Sequence, residues 1–287
     1  MNGIIITNRY YLDEGMKYLL GRLIQSAKDR GVTLTHSVCP IVGEFRAELG
    51  QADFVIFWDK DVVACKTLER QGYRVFNSSE TIRICDNKTL TYLALPYFDC
   101  LIPSVFSPVC FPVSDNFDID LIHKVESFGY PLIIKESTGS LGMQVYLINN
   151  RDELIEKSRQ LKSVPHIYQK YVGDEKGVDI RFYVAGDKIA GVCKRINTTS
   201  FTSNIASGGS VEKYEAQKHE ERLALSIAKA LNMDFGSVDF VKHRGELLFV
   251  EANSNAYFKA IESLGVDIAG QYIDSIIKAV KGNARKS

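Results

Sequence analysis

No stretch of this 287-residue chain approaches the roughly 18 to 20 apolar residues that a membrane-spanning helix needs. The longest apolar run near the start, Gly3-Ile4-Ile5-Ile6, is too short for a signal peptide and follows no basic leader. A cytoplasmic protein with no membrane partner is expected. Net charge is lacking too: 35 Lys and Arg balance 35 Asp and Glu, so wholesale nucleic-acid binding is not expected. Lys60, Lys66 and Arg70 have no interleaved aromatics and read as a solvated helix face. Proline is scarce at seven and glycine ordinary at 21, which removes Pro-rich and collagen-like classes. The six cysteines form no C-x-x-C pair and have no histidine at zinc-finger spacing. Free thiols in a reducing compartment are expected. No Ser-His-Asp or Cys-His arrangement stands out, and His219-Glu220 lacks a second histidine four residues on, so it reads as a helix-surface pair.

What is present is an ordinary globular balance, 45% hydrophobic and 24% charged, in a length that suits two domains or one large one. Strand-like runs at Gly3 to Thr7, Val32 to Leu34, Phe54 to Trp58 and Tyr73 to Phe76 alternate with helical patterns. In the first helix Met16, Leu19, Leu20, Leu23, Ile24 and Ala27 share one face. Such alternation predicts a parallel sheet covered on both faces. Pro103, Pro108 and Pro112 break the stretch Tyr97 to Asp115 and mark a boundary, as a crossing loop or an extended edge. Beyond it lie a helix over Asp118 to Phe128, strands at Leu132 to Lys135 and Val145 to Ile148, and a helix opened by Asn150 and Glu153. Further strands follow at His166 to Val172, Asp179 to Val184, Ile189 to Arg195, Val238 to Lys242 and Leu247 to Glu251. Hairpin turns fall at Gly186-Asp187 and Arg244-Gly245. Helices near His219 to Leu231 and Ile268 to Val280 complete the pattern.

Three segments carry unusual chemistry. An apolar strand ends in Lys135 and runs into Glu-Ser-Thr-Gly-Ser-Leu-Gly142, a loop whose amides and hydroxyls suit a phosphate; read alone, it also suits a flexible turn beside a snorkelling lysine. It is neither a P-loop nor a G-x-G-x-x-G turn. Asp239 and Glu251 sit in apolar strands, where an unpaired carboxylate costs several kcal/mol. A hairpin would gather them with Asn253, which shares a face with Glu251. Three such oxygens suit a hard cation like Mg2+; the other reading is buried carboxylates bonded to Lys or Arg. Asp179 and Arg181 share a face, and Arg195 lies on a neighbouring strand. These arginines suit either convergence on anionic oxygens or structural ion pairs.

Taken in order, these pieces resemble the ATP-grasp superfamily, most closely its RimK- and LysX-like ligases, over about Asp86 to Ile268. The stretches that carry the resemblance are Asp86-Asn-Lys-Thr89, Lys176-Gly-Val-Asp-Ile-Arg181, Phe201-Thr-Ser-Asn204 and Val250-Glu-Ala-Asn253. The resemblance implies an α/β N-terminal domain (1–95) followed by an ATP-grasp fold of two α+β subdomains. The central one would be 96–172, and the C-terminal one, 173–287, would carry the metal site. It implies ATP with Mg2+, or Mn2+, as cofactors. Lys88 and Lys135 would meet the phosphates, with Ser140 in the loop between the strands. The backbone of Lys170, Tyr171 and Val172 would meet adenine, and Asp179 the ribose side. Ser203 and Asn204 fall in the family's nucleotide segment. Asp239, Glu251 and Asn253 would hold the metal, and Arg181 and Arg195 would act catalytically on the transferred phosphoryl or acyl-phosphate.

The implied activity is ATP-dependent carboxylate–amine ligation through an acyl-phosphate, on an amino acid, a peptide or a protein terminus, with a dimer or tetramer as the homo-oligomer the resemblance suggests. A small-molecule kinase and a nucleotide-binding module without turnover are the other readings. Alanine at Asp239 or Glu251 is expected to abolish turnover with the fold largely intact. Three positions depart from the family pattern: Lys170 replaces a hinge glutamate, Thr202 replaces an arginine, and Ser254-Asn-Ala-Tyr257 replaces Ala-Ser-Pro-Gly.

Overall fold

Three β-sheets organise the chain in the computed structural model, which describes residues 1–43, 49–111, 118–139, 142–198 and 208–283. In the first, β1 (Asn2–Thr7), β2 (Thr33–Val38), β3 (Phe54–Trp58) and β4 (Val75–Phe76) run parallel in the order β2-β1-β3-β4. Its apolar strands are covered on both faces, as the alternating pattern requires. Helix α1 (Glu14–Asp29) covers one face with Met16, Leu19, Leu23 and Ala27. Helices α2 (Val62–Arg70) and α3 (Ser79–Cys85) cover the other with Ala64, Cys65, Leu68 and Ile82. Asp13 caps α1 by accepting from the Met16 amide at 2.7 Å, and Gly31, at φ +70°, lets the chain turn out of it. α3 and the following α4 (Lys88–Leu93) escape the periodicity reading because each is under two turns long. They form on side-chain caps from Ser78 and Asn87.

The middle sheet is antiparallel, β5-β8-β6-β7, built from β5 (Ser104–Phe106), β6 (Leu132–Glu136), β7 (Val145–Ile148) and β8 (His166–Lys170). β5 lies within the proline-broken stretch, as an edge strand. Helices α5 (Ile119–Glu126) and α6 (Arg151–Gln160) close a separate small core against it through Ile122, Val125 and Leu154. The Asn150 side chain caps α6 at the Glu153 amide, while Glu153 reaches back to the Asn149 amide.

The last sheet is antiparallel in the order β11-β10-β9-β12-β13, with β9 (Val178–Ala185), β10 (Lys188–Ile196), β11 (Ser210–Lys213), β12 (Phe235–His243) and β13 (Glu246–Asn253). Its expected hairpins are present, with Gly186 at φ +60° and Arg244 and Gly245 at +53° and +85°. Helix α7 (Lys218–Ala230) covers one face, and α8 (Lys259–Glu262) and α9 (Ile268–Asn283) the other. Glu220 corrects the surface reading of His219-Glu220: it is buried, accepts from the Gln217 amide and from Tyr214 Oη, and so closes the N-terminus of α7. Among the described residues no helix is long and apolar enough to cross a membrane, and all the cysteines, five of them buried, are free.

The first and last sheets share one apolar cluster, in which Trp58 stacks on Phe235 with ring centroids 5.2 Å apart. Asn77 joins the same two sheets by hydrogen bonding. Its Nδ2 donates to the Phe235 and Ser254 carbonyls at 2.9 and 3.0 Å, and its Oδ1 accepts from the Asp234 and Phe235 amides. Asn77 is fully buried, so Asn77→Ala strands several backbone groups without water. A loss of about 2–4 kcal/mol is expected, read as a lowered urea midpoint with unchanged slope.

Candidate active site

Strand register assembles the charged centre. Across β9 and β12 Asp239 stands opposite Arg181; across β9 and β10 Arg195 stands opposite Asp179; across β12 and β13 Asp239 stands opposite Glu251. The ladder is irregular after Asp239, where Phe240 pairs with Phe249 and Val250 is left as a bulge beside the site. Arg181 grips Asp239 with both ends of its fork, at 2.8 and 2.6 Å. Arg195 grips Asp179 with two hydrogen bonds and adds a third to Asp239 Oδ2 at 2.8 Å. All four residues are at least nine-tenths buried. Desolvation opposes the charge on each member, but the guanidinium groups hold the Asp239 carboxyl below its ordinary pKa. Two cations face two anions, so the network is self-neutralising.

The structure thus realises the ion-pair reading of Asp239, and places a candidate metal cluster against it. Asn253 Nδ2 reaches Glu251 Oε1 at 3.2 Å and Asp239 Oδ2 at 3.5 Å. A half-turn of this amide presents Oδ1 instead, so that three oxygens converge as a hard divalent cation requires. The donor set fits such an ion at Glu251 and Asn253. Asp239 already accepts at all four of its lone pairs, from Arg181, Arg195 and Ser237, so it joins such an ion only when one of these donors turns away. Among the described residues no group of three or more His, Cys, Asp or Glu stands ready for a metal, so Asn253 is essential to the set.

Glu251 and Asn253 also line a recess with Asp86, Lys88 and Gly139. Lys88 opens α4, and its amide donates to the Ser137 carbonyl at 2.7 Å, tying the helix start to the loop after β6. Lys135, next to last in β6, is only 8% exposed, and among the described residues its ammonium has no hydrogen-bond or ion-pair partner. Burial pushes its pKa down from 10.5 to about 8, Glu251 pulls it back up, and Lys88 lowers it further. Lys135, Lys88 and Lys60 stand against Glu251 and Asp86, leaving an excess of positive charge suited to an anion.

Of the remaining predicted residues, Lys170 closes β8 with its amide already donated to the Pro103 carbonyl at 3.0 Å. Tyr171 and Val172 follow as irregular chain. Asp179, expected at the ribose side, spends its carboxylate on Arg195. Ser140, Ser203 and Asn204, with Thr202, lie outside the described residues. Lys60 corrects the solvated-helix reading: it precedes α2 and pairs with Asp86 at the recess. Tyr92 was not anticipated; its hydroxyl donates to the Phe249 carbonyl and accepts from Gln169 Nε2, fastening α4 to β13 and β8. No local pattern announces it, because its partners are 157 and 77 residues away.

Fold and site together define an ATP-grasp protein. A solved RimK-domain ATP-grasp protein from Sphaerobacter thermophilus superposes with a TM-score of 0.73 at 20% identity, covering 96% of this chain and 99% of that one. D-alanine–D-alanine ligase from Bacillus anthracis superposes at 0.71 and 16% identity, covering 100% and 99%. The family model for the RimK-like ATP-grasp domain matches residues 113–276, more than half of the chain, which belongs to that family. Human N-acetylaspartylglutamate synthase A is 30% identical over 220 residues, 75% of this chain and 55% of the synthase. The chain spans a little over half the length of the curated synthases it matches.

Proposed function

We propose that this chain is an ATP-dependent carboxylate–amine ligase that forms an amide bond through an acyl-phosphate. The observation that carries the reading is Lys135: a nearly buried ammonium with no hydrogen-bond or ion-pair partner among the described residues, close enough to the recess residues Glu251 and Lys88 for both to act on its charge. A cation kept at that cost without a counter-ion is matched to an anionic ligand, and a polyphosphate supplies one. The family match and the glutamate-ligating relatives point the same way.

In this reading a substrate carboxylate oxygen attacks the γ-phosphorus and ADP leaves. An amine then attacks the carbonyl carbon, phosphate leaves, and the nitrogen gives up a proton. Lys135 and Lys88 orient the phosphates. Asp239, Glu251 and Asn253 hold Mg2+, which when bound offsets charge spreading over the phosphate oxygens. Arg181 and Arg195 turn towards the transferred phosphoryl, with Asp179 and Asp239 keeping both forks aligned. Adenine rests on the backbone of Tyr171 and Val172, since the Lys170 amide is already committed. The three sheets correspond to working units of 1–95, 96–172 and 173–287.

ADP release is expected only when Mg2+, a carboxylate and an amine are all supplied, with an amide detected by mass spectrometry. No release across a broad panel of amino acids and peptides overturns the reading. A stable phosphorylated product without amide marks a kinase instead.

A further inference from the structure

Sheet order singles out a second place in the molecule. From β1 the chain passes through α1 to β2 on one side, then returns to β3 on the other, so the connections diverge between β1 and β3. Open parallel sheets bind ligands in the crevice outside the carboxyl ends of such diverging strands. The residues there are Asn8, directly after β1, and Asp59, directly after β3.

Asp59 is 6% exposed. Its carboxylate accepts from Asn8 Nδ2 at 3.2 and 3.3 Å and from the Lys60 amide at 2.6 Å. Unlike Asp179 and Asp239, it is paired with no charged side-chain nitrogen of Lys, Arg or His among the described residues. The cations beside it in sequence point elsewhere: Lys60 pairs with Asp86, and Arg9 Nε donates to the Cys39 carbonyl at 3.0 Å. A buried carboxylate held only by neutral donors is short of a cation.

A second acceptor stands beside it on the last sheet's side. Asn255 Nδ2 donates to the Asp59 carbonyl at 2.9 Å, while its Oδ1 is buried with no partner. Asn255 belongs to the Ser254–Tyr257 segment that departs from the family pattern, two residues beyond Asn253. The Lys60–Asp86 pair joins this crevice to the recess, because Asp86 lines the latter. A carboxylate and an orphan amide oxygen complement a group that is cationic and rich in donors, which is the chemistry of a primary ammonium.

We infer that the crevice at the carboxyl ends of β1 and β3 is a subsite for a substrate's ammonium group, with Asp59 as counter-ion and Asn255 Oδ1 as second acceptor. The substrate class is a free amino acid or a peptide amino terminus. The inference rests on the ligase reading for what the bound molecule is used for, but the binding itself needs no turnover.

The test is calorimetric titration of the full chain, with Mg2+ and a non-hydrolysable ATP analogue, against free amino acids, short peptides and the N-acetylated form of each. At least one free-amine compound is expected to bind, ten-fold or more tightly than its acetylated form. Whether amino acids or peptides respond separates the two sources. Asp59→Asn should bring that ratio close to one, and Asn255→Ala should reduce it several-fold, both with analogue affinity kept within two-fold. In turnover, KM for the amine-bearing substrate should rise while KM for ATP holds. Asn255→Ala keeps the test decisive should Asp59→Asn fold poorly. Equal binding of acetylated compounds to the wild type, undiminished selectivity in a folded variant, or no amine binding alongside normal analogue binding overturns the subsite. Ammonium selectivity without analogue binding would instead defeat the nucleotide reading and leave the subsite standing.

Discussion

Asp239→Ala is expected to unfold more readily by about 3–5 kcal/mol and to release no ADP, because two buried guanidinium groups lose their shared counter-ion. The change from the sequence expectation lies in the stability. A carboxylate in an apolar strand looks removable when only its strand is known. The structure shows it fully buried and accepting from Arg181, Arg195 and Ser237. Glu251→Ala is the contrast. Glu251 is half-buried and bonded only to Asn253 among the described residues, so its loss should abolish turnover with stability within about 1 kcal/mol of wild type. Urea unfolding beside an ADP assay separates the two. Equal stability losses would show that the arginine network does not depend on Asp239.

Lys135→Met is expected to do the opposite: to raise stability by about 1–3 kcal/mol while abolishing ATP turnover. Methionine fills much of the same space at the end of β6 and carries no charge to desolvate. The pH dependence follows from the lowered pKa. Between about 8 and 10.5 the folded lysine has lost its proton while the unfolded one keeps it. The unfolded state then binds more protons, so wild-type stability rises with pH across that window and falls back as pH drops through 8. Lys135→Met should lack this slope when both proteins are compared without nucleotide or divalent cation. Identical slopes would mean that the ammonium is solvated.

Elements whose own residues set their structure could be read in advance. β3 is an unbroken apolar run buried at every position, and α1 carries a full stripe between an Asp13 cap and a Gly31 exit. Lys135, Glu251 and Asn253 were legible for the converse reason, as polar groups where the strand pattern calls for apolar ones. What could not be read were facts of register and distance. That Arg181 faces Asp239 depends on how β9 pairs with β12, 58 residues on. Asn77 and Asp59 look like ordinary loop polar residues until partners 158 and 196 residues away arrive beside them. Glu220 reads as surface because its place in the capping box is visible only once Gln217 is known to start the helix.

The unpaired Val250 decides the parity of β13. Before it the odd-numbered Leu247 and Phe249 enter the core under α7; after it the even-numbered Ala252 does. Were the strand regular, Glu251 and Asn253 would continue the odd series and point into hydrocarbon. The bulge therefore absorbs one residue without pairing it and keeps the ligand-bearing face clear of the core halfway along the strand. Deleting Val250 would keep Glu251 opposite Asp239 and every later side chain on its present side, whereas pairing Val250 into a straight ladder would exchange the wet and dry sides of everything that follows.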